Sequence, residues 1–478
     1  MLNLTTLKLS KRCIIAVEVR DKDNEALVQL IGKERVSTVP SHDIIGRLML
    51  LFMRQPGLAR VYHTVLGFSG NEFYVKYWEQ LVGARWKDVL LHFADAVPIG
   101  LQRPDKSVLL NPPPGYIITP TDSLVVLAED NDTYEFAEAV DVGPRRSFRD
   151  PKPRSVTPEV VLFAGWRRDV AYMVLMLDKL STPNSELHIL CPLPVKERMK
   201  QFAENAFDPE QLINLRIVHH VGSPVLKRCM SLLPIGRLTS AIVMADRDEG
   251  SHVINSDSQC LATLMLIRGL QSAHARARAT GRGAVDGNSA LVDAAEWNES
   301  EAISSARAMP IVVEILDPRT QRTVNDSYKV WSISDFIQSN ELMSKMMAMI
   351  SEEAAVKKIL DQLMGETGTQ FELQPAEKFV APDQEASFWE LARECTLTRH
   401  AILCGYVEPT EAGSRSLPEC IINPPDKLAR RRWRRHNLVL ITTNELAVEG
   451  DSANRAHAPS PSHFSDSQHE LHEEQPWA

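Results

Sequence analysis

The chain has 478 residues, of which 44% are hydrophobic and 24% are charged, and its 53 basic and 62 acidic residues give a net charge of −9. This composition is typical of a globular protein and excludes a wholly disordered, fibrous or disulfide-scaffold chain. The charge supplies no overall positive field, so no nucleic acid partner is expected. The longest apolar runs, such as residues 48–53, are far shorter than the ~20 residues of a membrane helix, so no spanning segment is predicted.

The first 141 residues contain short apolar runs separated by polar turns. These runs predict strands over 13–19, 26–31, 35–39, 73–76, 96–102, 108–110 and 124–127. Two helices are predicted between them, one over 41–54 that Ser41 can cap and one over 58–66. Pro56 separates the helices because proline cannot continue a helix.

A second unit follows residues 142–158, whose Pro and Arg content is typical of a linker. Largely apolar strands are predicted at 159–164, 186–190, 215–219, 240–245 and 311–316, with helices at 169–180, 195–204, 225–232 and 258–271. Apolar strands that alternate with helices predict a parallel sheet covered on both faces. The expected fold class is therefore α/β, with a doubly wound, Rossmann-like sheet.

Three further kinds of segment complete the chain. Residues 272–308 are rich in Ala, Gly, Arg and Ser and predict a mobile insertion. Helices are predicted over 331–350 and 352–364, and short strands follow them to about residue 446. Residues 447–478 contain few apolar residues and predict a disordered tail.

The two units are related by an internal repeat. Residues 15–21 align with 311–317, matching at Ile, Val, Glu and Asp, and the sequence Asn-Pro-Pro occurs at both 111–113 and 423–425. Between these anchors each copy has two helices, an aromatic-led helix and a strand that ends in glycine. The order of elements is preserved, so the two copies are predicted to share one topology.

The repeat also predicts that the first copy is incomplete. About 150 residues of sheet and helix precede the anchor strand of the second copy, whereas fourteen residues precede that of the first. A lone strand would leave its backbone N–H and C=O groups unpaired. We therefore expect a chain that is truncated at its N-terminus or completed by another polypeptide.

Several segments of the sequence resemble the CASTOR/POLLUX ion-channel family over residues 12–446. The resemblance is carried by HDIIGRLM (42–49), QPGLA (55–59), LGF (66–68), FADAVP (93–98), AEDNDTY (128–134), GWRRD (165–169), ATLMLIR (262–268) and ILDPRT (315–320). The family implies a tetrameric cation pore ahead of two tandem RCK (regulator of potassium conductance) domains, which form a ligand-sensing gating ring. The pore helices and the front half of the first RCK domain are missing from this sequence, so the chain alone is not expected to conduct ions.

The resemblance implies a domain arrangement and a location. It assigns residues 1–141 to the C-terminal part of a first RCK domain, with its last sheet strand, crossover helices and small lobe. Residues 159–331 become the Rossmann-like core of a second RCK domain, and 332–446 its crossover helices and α+β C-terminal lobe. It also implies a homotetramer, a membrane-associated full-length protein and the plant nuclear envelope, with the plastid envelope as an alternative.

The turn after the first strand of the parallel sheet is a candidate anion site. Gly165 is the only glycine where a dinucleotide fold would carry G-x-G-x-x-G, so NAD is not expected as a cofactor. Arg167 and Arg168 lie beside a helix N-terminus and could attract an anion. An ion pair at the surface or between domains is the alternative role for these arginines.

Two acidic clusters are candidate metal sites because Ca²⁺ prefers hard oxygen ligands. They follow predicted strands and comprise Asp246, Asp248 and Glu249 in one cluster and Glu129, Asp130 and Asp132 in the other. Neither cluster has the spacing of an EF-hand, so solvated turns are the alternative. Because gating rings of this family often sense Ca²⁺, the resemblance makes Ca²⁺ the expected ligand.

Two predicted helices carry apolar faces that suit either core packing or an interface of the gating ring. The residues are Ile44, Ile45 and Leu48 on the first and Met343, Met346, Met347 and Ile350 on the second. The basic run at 430–435 is predicted to be a charged connecting loop rather than a nucleic-acid patch. No nucleophile–base constellation occurs, so enzyme activity is not expected.

The sequence thus favours the cytosolic regulatory half of a CASTOR/POLLUX-like cation channel. The alternative is a stand-alone, soluble RCK-type protein that binds a nucleotide and regulates a separate transporter. Both hypotheses rest on the family resemblance rather than on a motif that carries chemistry.

Overall fold

The computed structural model describes residues 13–20, 24–32, 36–67, 70–143, 157–245, 253–279, 309–332, 334–365, 368–381, 383–409 and 417–443. Most of the predicted linker, insertion and tail lies outside these ranges, namely residues 144–156, 280–308 and 444–478. No helix in the described ranges is both long enough and apolar enough to cross a membrane.

The strands are β1 (Ile15–Val19), β2 (Val36–Pro40), β3 (Glu72–Lys76), β4 (Ala96–Gln102), β5 (Val108–Leu110), β6 (Ser123–Ala128), β7 (Val160–Ala164), β8 (Ser185–Cys191), β9 (Leu215–Val221), β10 (Ser240–Val243), β11 (Ile311–Ile315), β12 (Asp335–Gln338), β13 (Thr369–Pro375), β14 (Glu385–Ala386), β15 (Ile402–Val407), β16 (Cys420–Ile422), β17 (Arg431–Arg432) and β18 (Asn437–Thr443). The α-helices are α1 (Glu25–Gly32), α2 (Ser41–Arg54), α3 (Leu58–Val65), α4 (Trp86–Val89), α5 (Val170–Leu180), α6 (Val195–Glu204), α7 (Lys227–Met230), α8 (Val253–Ala279), α9 (Pro318–Asp326), α10 (Tyr328–Trp331), α11 (Ser339–Glu352), α12 (Ala354–Leu363) and α13 (Phe388–Arg399).

The centre of the molecule is a six-stranded parallel sheet with the order β12-β11-β10-β7-β8-β9. Alternate residues of its strands enter two different cores, because side chains of a strand point to opposite faces. Val161 and Phe163 of β7 pack with α2 and α5, whereas Leu162 and Ala164 pack with α8. The sheet is therefore covered on both faces, as the apolar strands predict.

The internal repeat is confirmed by the topology. The pair β1–β2 is parallel, as is its counterpart β11–β12. Each copy then has two helices and a four-stranded sheet, ordered β3-β6-β4-β5 in the first copy and β13-β18-β15-β16 in the second. We call the part of the chain that holds β3 to β6 the first lobe and the part that holds β13 to β18 the second lobe.

Glycine and asparagine occupy equivalent, conformationally restricted positions in both lobes. A Cβ on Gly100 would lie 2.5 Å from a carbonyl oxygen of β5, and one on Gly405 would lie 2.1 Å from a carbonyl oxygen of β16, so both strand pairs need glycine. Asn111 and Asn423 follow those strands with φ of 47° and 50°, a left-handed conformation that asparagine tolerates.

The two asparagines also link the lobes to each other. Asn111 donates from Nδ2 to the carbonyl oxygen of His400 in the second lobe. Asn423 donates from Nδ2 to the carbonyl oxygen of Asp95 in the first lobe at 2.8 Å. His400 and Asp95 occupy matching positions before β15 and β4, so the contacts are related by the repeat.

The helices that follow each strand pair cross over between the repeat units. Helix α2 packs on α5, β10 and β11 of the second unit, whereas α11 packs on β1 of the first. Helix α12 contacts β5, and α3 contacts β13 and β16. Tyr62 on α3 donates its hydroxyl to the carbonyl oxygen of Leu363 on α12 at 2.7 Å. The two units are interlocked rather than joined by the linker alone.

Three predictions of secondary structure are corrected. The strand predicted over 26–31 is part of helix α1, since a short apolar run fits either state. The helix predicted over 331–350 contains strand β12, so the last sheet strand lies beyond the predicted core of 159–331. Residues 272–279 of the predicted insertion continue helix α8 to Ala279.

Candidate regulatory site

A cavity of about 400 Å³ lies at the carboxyl ends of the parallel strands. Its walls come from the ends of β7, β8 and β10 and from α8, and its polar side chains are Gln201, Ser223, Ser256, Gln259 and Thr263. Ligands of doubly wound sheets bind at this edge. The described lining includes no charged side chain, so it offers no cation to a phosphate.

Gly165 forms the turn that leaves β7 at this cavity. Its φ is +110°, and a Cβ there would lie 2.8 Å from the carbonyl oxygen of Met244, so the close approach of β7 to the end of β10 needs glycine. Trp166 follows it and donates from Nε1 to Gln201 Oε1 at 2.7 Å. The turn therefore shapes the cavity, but a bulky ring stands where a dinucleotide site would have a small residue.

Arg167 points away from the cavity and into the interior. Its guanidinium pairs with Asp169 at 2.8 Å and Glu314 at 2.9 Å, and it also donates to the carbonyl oxygen of His42 at 3.2 Å. Burial alone would lower the pKa of Arg167, but the two carboxylates hold it above its usual value. The predicted anion site gains no support here, because this charge is already neutralised. Arg168 is exposed and does not line the cavity.

Glu314 of β11 is the centre of this arrangement and is fully buried. Its Oε1 accepts hydrogen bonds from Arg167 and from the Ser339 hydroxyl at 2.7 Å. Its Oε2 accepts from the backbone N–H of Ala245, just past β10, at 3.1 Å. We call the following residues the Glu314 cluster: Glu314, Arg167, Asp169, Ser339 and Ala245.

The Glu314 cluster connects the sheet edge to both crossover helices. Ser339 is the first residue of α11, and His42, which Arg167 contacts, lies in the first turn of α2. One buried carboxylate therefore joins the end of β10, the turn after β7 and the beginnings of two helices from different repeat units. A displacement at the sheet edge would be transmitted to both helices, because a buried charge cannot lose its partners cheaply.

Sequence reasoning used Glu314 only to align the repeat. The available signal was an acidic residue inside the apolar strand IVVEI, because a buried carboxylate must be paired. Its partner Arg167 is distant in sequence, and no local pattern links the two. The counterpart of Glu314 in the first copy, Glu18, is exposed.

The two predicted acidic clusters have different outcomes. Asp246, Asp248 and Glu249 lie outside the described residues, directly after Ala245 in the sequence. Glu129, Asp130 and Asp132 are exposed on the turn after β6, where Asp130 Oδ1 accepts the N–H of Asn131 at 2.6 Å. Within the described ranges no three metal-ligating side chains converge. The Ca²⁺ site stays a prediction.

The predicted interface residues lie where the two repeat units meet. Ile44, Ile45 and Leu48 on α2, and Met343, Met346 and Ile350 on α11, are buried, while Met347 is partly buried. Ile44, Met346 and Ile350 line one cavity of about 40 Å³. Their contacts are within this chain, and a role between subunits stays a prediction.

Comparison with known proteins identifies relatives along nearly the whole chain. A family model described as "Castor and Pollux, part of voltage-gated ion channel" matches residues 42–142. The chain is 36% identical over 452 residues to a probable ion channel CASTOR of Oryza sativa subsp. japonica, covering 93% of this chain and 48% of that protein. It is 35% identical over 450 residues to the ion channel CASTOR of Lotus japonicus, covering 93% and 50%. The chain thus spans about half the length of these curated relatives.

The fold is similar to that of the human SLO3 gating ring. The TM-score is 0.59 with 10% sequence identity, and the match covers 90% of this chain and 81% of that one. The likeness confirms the expected α/β tandem RCK fold. The curated relatives are ion channels and not enzymes, as the sequence predicts.

Proposed function

Because this chain belongs to the CASTOR/POLLUX family of ion channels, we propose that it is the gating-ring portion of a cation channel. In this proposal the ring senses a ligand and transmits its binding to a membrane pore in the rest of the full-length protein. The ring is a homotetramer, and the full-length protein resides in the nuclear envelope.

The observation that carries the proposal is the Glu314 cluster together with the interlocked helices. A gating ring must convert a local event into a change of angle between its units, and it needs a rigid connection for this. Glu314 connects the sheet edge to Ser339 on α11 and, through Arg167, to the start of α2. Ligand-bound and ligand-free states would then differ in the angle at which the two repeat units pack.

Ca²⁺ is the proposed ligand. Asp246, Asp248 and Glu249 follow Ala245 in the sequence, and Ala245 donates its N–H to Glu314. Their carboxylates are hard oxygen ligands of the kind that Ca²⁺ prefers, and they follow a residue of the Glu314 cluster in the sequence. The described lining of the sheet-edge cavity has no cation, which does not favour the alternative of a nucleotide-binding regulator.

In the first repeat unit, one edge of β1 is available to pair with a further segment of the full-length protein. Strand β11, its counterpart, pairs with β12 on one side and β10 on the other. Among the described residues β1 pairs only with β2, and Glu18 is exposed where Glu314 is buried. In the proposal, strands of the full-length protein pair with β1 and bury Glu18, completing the first RCK domain.

A chimera tests the coupling to a pore. The membrane portion of the Lotus japonicus CASTOR channel is joined ahead of this chain in place of its matching half, and single-channel currents are recorded in a lipid bilayer. We expect an open probability that changes with Ca²⁺ at micromolar to millimolar concentration. A chimera whose open probability is the same with and without Ca²⁺, and with this chain deleted, contradicts the proposal.

Calorimetry on the purified chain tests calcium binding separately. We expect heat of binding for the wild type, and no heat for Asp246→Asn if the first acidic cluster is the site. Asp130→Asn tests the second cluster in the same way, and Asp326→Asn, an exposed residue at the end of α9, is the matched control. Heat that none of the site variants reduces would rule out both clusters.

A further inference from the structure

A second cavity, of about 550 Å³, lies where three parts of the chain meet. Arg60 of the crossover helix α3 forms one wall, Ser332 and Ser334 before β12 form another, and Arg435 of the second lobe lies at the third. This cavity is separate from the one at the sheet edge and shares no lining residue with it. A molecule bound here would touch the first repeat unit, the parallel sheet and the second lobe at once.

Two serines that line this cavity have hydroxyl groups with unused hydrogen-bonding capacity. The Oγ atoms of Ser332 and Ser334 are buried, and neither has a hydrogen-bond partner among the described residues. Buried polar atoms are nearly always paired in folded proteins. Two orphan hydroxyls in one cavity therefore point to a polar ligand that accepts hydrogen bonds from both.

The positive charge of Arg60 is also available to such a ligand. Its guanidinium lies over the ring of Trp331, 5.7 Å from the centroid, and forms no ion pair within 4 Å in the described part of the chain. Burial lowers the pKa of Arg60, and nearby Asp335 only partly offsets this. An anion beside Arg60 would relieve the cost of burying its charge.

The carboxylates of the cavity do not supply the anion that would compensate the charge of Arg60. Asp335 already accepts the N–H of Gly57 at 2.7 Å, and burial raises its pKa, which favours the uncharged form. Glu408 also lines the cavity and is exposed. Arg268 and Arg435 also line the cavity, so its cations outnumber its carboxylates.

We propose that this cavity binds a small phosphate-bearing molecule, whose phosphate oxygens accept hydrogen bonds from Ser332, Ser334 and Arg60. A tetrahedral phosphate can accept from two hydroxyls and a guanidinium simultaneously, whereas a planar carboxylate is matched mainly to the guanidinium. The volume is that of a typical small-ligand site and admits a nucleoside monophosphate. The bound molecule stabilises one packing of the first repeat unit, the parallel sheet and the second lobe. It therefore acts on the ring independently of the proposed Ca²⁺.

Isothermal titration of the full 478-residue chain tests the site, with inorganic phosphate, adenosine monophosphate and adenosine as probes. We expect both inorganic phosphate and adenosine monophosphate to bind. The ratio of their affinities shows whether the site prefers free phosphate or a phosphorylated ligand. Arg60→Gln should weaken binding by roughly 10- to 100-fold, the range for loss of one hydrogen bond to a charged group. Arg322→Gln, which removes the same charge from the exposed face of α9, should leave it unchanged.

A second variant tests whether the bound ligand is negatively charged. Asp335→Asn keeps an acceptor for Gly57 N–H but removes a carboxyl group that becomes negatively charged as the pH rises. Phosphate should therefore bind more tightly to Asp335→Asn than to the wild type at pH values where Asp335 is ionised. Equal affinities for Arg60→Gln and Arg322→Gln, or weaker binding by Asp335→Asn, would overturn the proposal.

If Arg60→Gln does not fold, the double variant Ser332→Ala, Ser334→Ala serves in its place, because it removes no charge. Unchanged phosphate affinity in that protein would equally refute the site. The titration needs no pore, so its outcome is independent of the proposed coupling to a channel.

Discussion

Replacing Glu314 by glutamine tests the cluster that joins the sheet edge to the crossover helices. The change keeps the size of the side chain but removes its charge and turns one acceptor into a donor. The new amide must then face either the Arg167 guanidinium or the N–H of Ala245, and both of these are donors. Glu314→Gln therefore loses the ion pair to Arg167 and at least one hydrogen bond.

The magnitude follows from the burial of the pair. The side chains of Arg167 and Glu314 are 3% and 0% exposed. Removing one partner of a buried ion pair typically costs about 3–5 kcal/mol. Arg167 keeps Asp169 as a second partner, so we expect the lower end, about 3 kcal/mol. At about 2–4 °C per kcal/mol for a cooperative unit of 150–250 residues, the Tm should fall by about 6–12 °C.

Thermal and urea unfolding of the 478-residue chain, followed by circular dichroism, measure this effect. The control is Glu341→Gln, which removes the same charge from the partly exposed i,i+4 pair with Lys345 on α11 and should cost less than about 0.5 kcal/mol. If Glu314→Gln and Glu341→Gln are equally stable, Glu314 does not hold the cluster together, and the coupling argued from it fails.

Three further substitutions test the lobes by urea unfolding. Gly405→Ala places a Cβ 2.1 Å from a carbonyl oxygen of β16 and should destabilise the chain by about 2 kcal/mol or more. The control is Gly115→Ala, because a Cβ at Gly115 meets open space. If the two variants are equally stable, β15 and β16 are not as closely spaced as described. Burial lowers the pKa of Lys427 to about 7. Between pH 7 and 9 the Lys427 amine therefore keeps its proton in the unfolded chain but loses it in the folded chain. The free energy of unfolding should rise by about 2 kcal/mol over this range. Lys427→Met should lack this rise; the same pH dependence in both proteins would show that another group is responsible. Asn423→Gly keeps the left-handed turn but deletes two hydrogen bonds to the first lobe, with an expected loss of about 1–2 kcal/mol; no loss would mean that these contacts do not hold the lobes together.

The repeat could be predicted from the sequence because its anchors carry local structural demands. Asn111 and Asn423 occupy left-handed turns, and Gly100 and Gly405 lie where a neighbouring strand approaches too closely for a side chain. Such positions restrict the residue type and therefore leave a readable pattern. The parallel sheet could also be predicted, because strands that are buried on both faces appear in the sequence as apolar runs between helices.

The errors fall where local pattern is ambiguous. The short run that forms α1 is equally compatible with a strand, and the apolar residues Phe336 and Ile337 of β12 fit the spacing of the helix that follows them. In both cases tertiary packing decides the secondary structure. The boundaries of neighbouring elements cannot be resolved from spacing alone.

The Glu314 cluster could not be predicted because its members are distant in sequence. Arg167 stands beside a helix N-terminus, a place where an anion site is a reasonable expectation. The fold instead brings Glu314 from β11 against it, and the arginine becomes part of the interior. The linking of Ser339 and His42 to this pair depends on how the crossover helices pack, which no local motif encodes.

Hydrogen exchange of the purified chain with and without Ca²⁺ tests the central claim most directly. If Glu314 couples the two repeat units, Ca²⁺ should change the protection of the first turns of both α2 and α11 in the wild type. In Glu314→Gln the change should be confined to the sheet edge around Ala245. The same response of both helices in the variant, or a wild-type response that never reaches them, would contradict the claim that Glu314 couples the two repeat units.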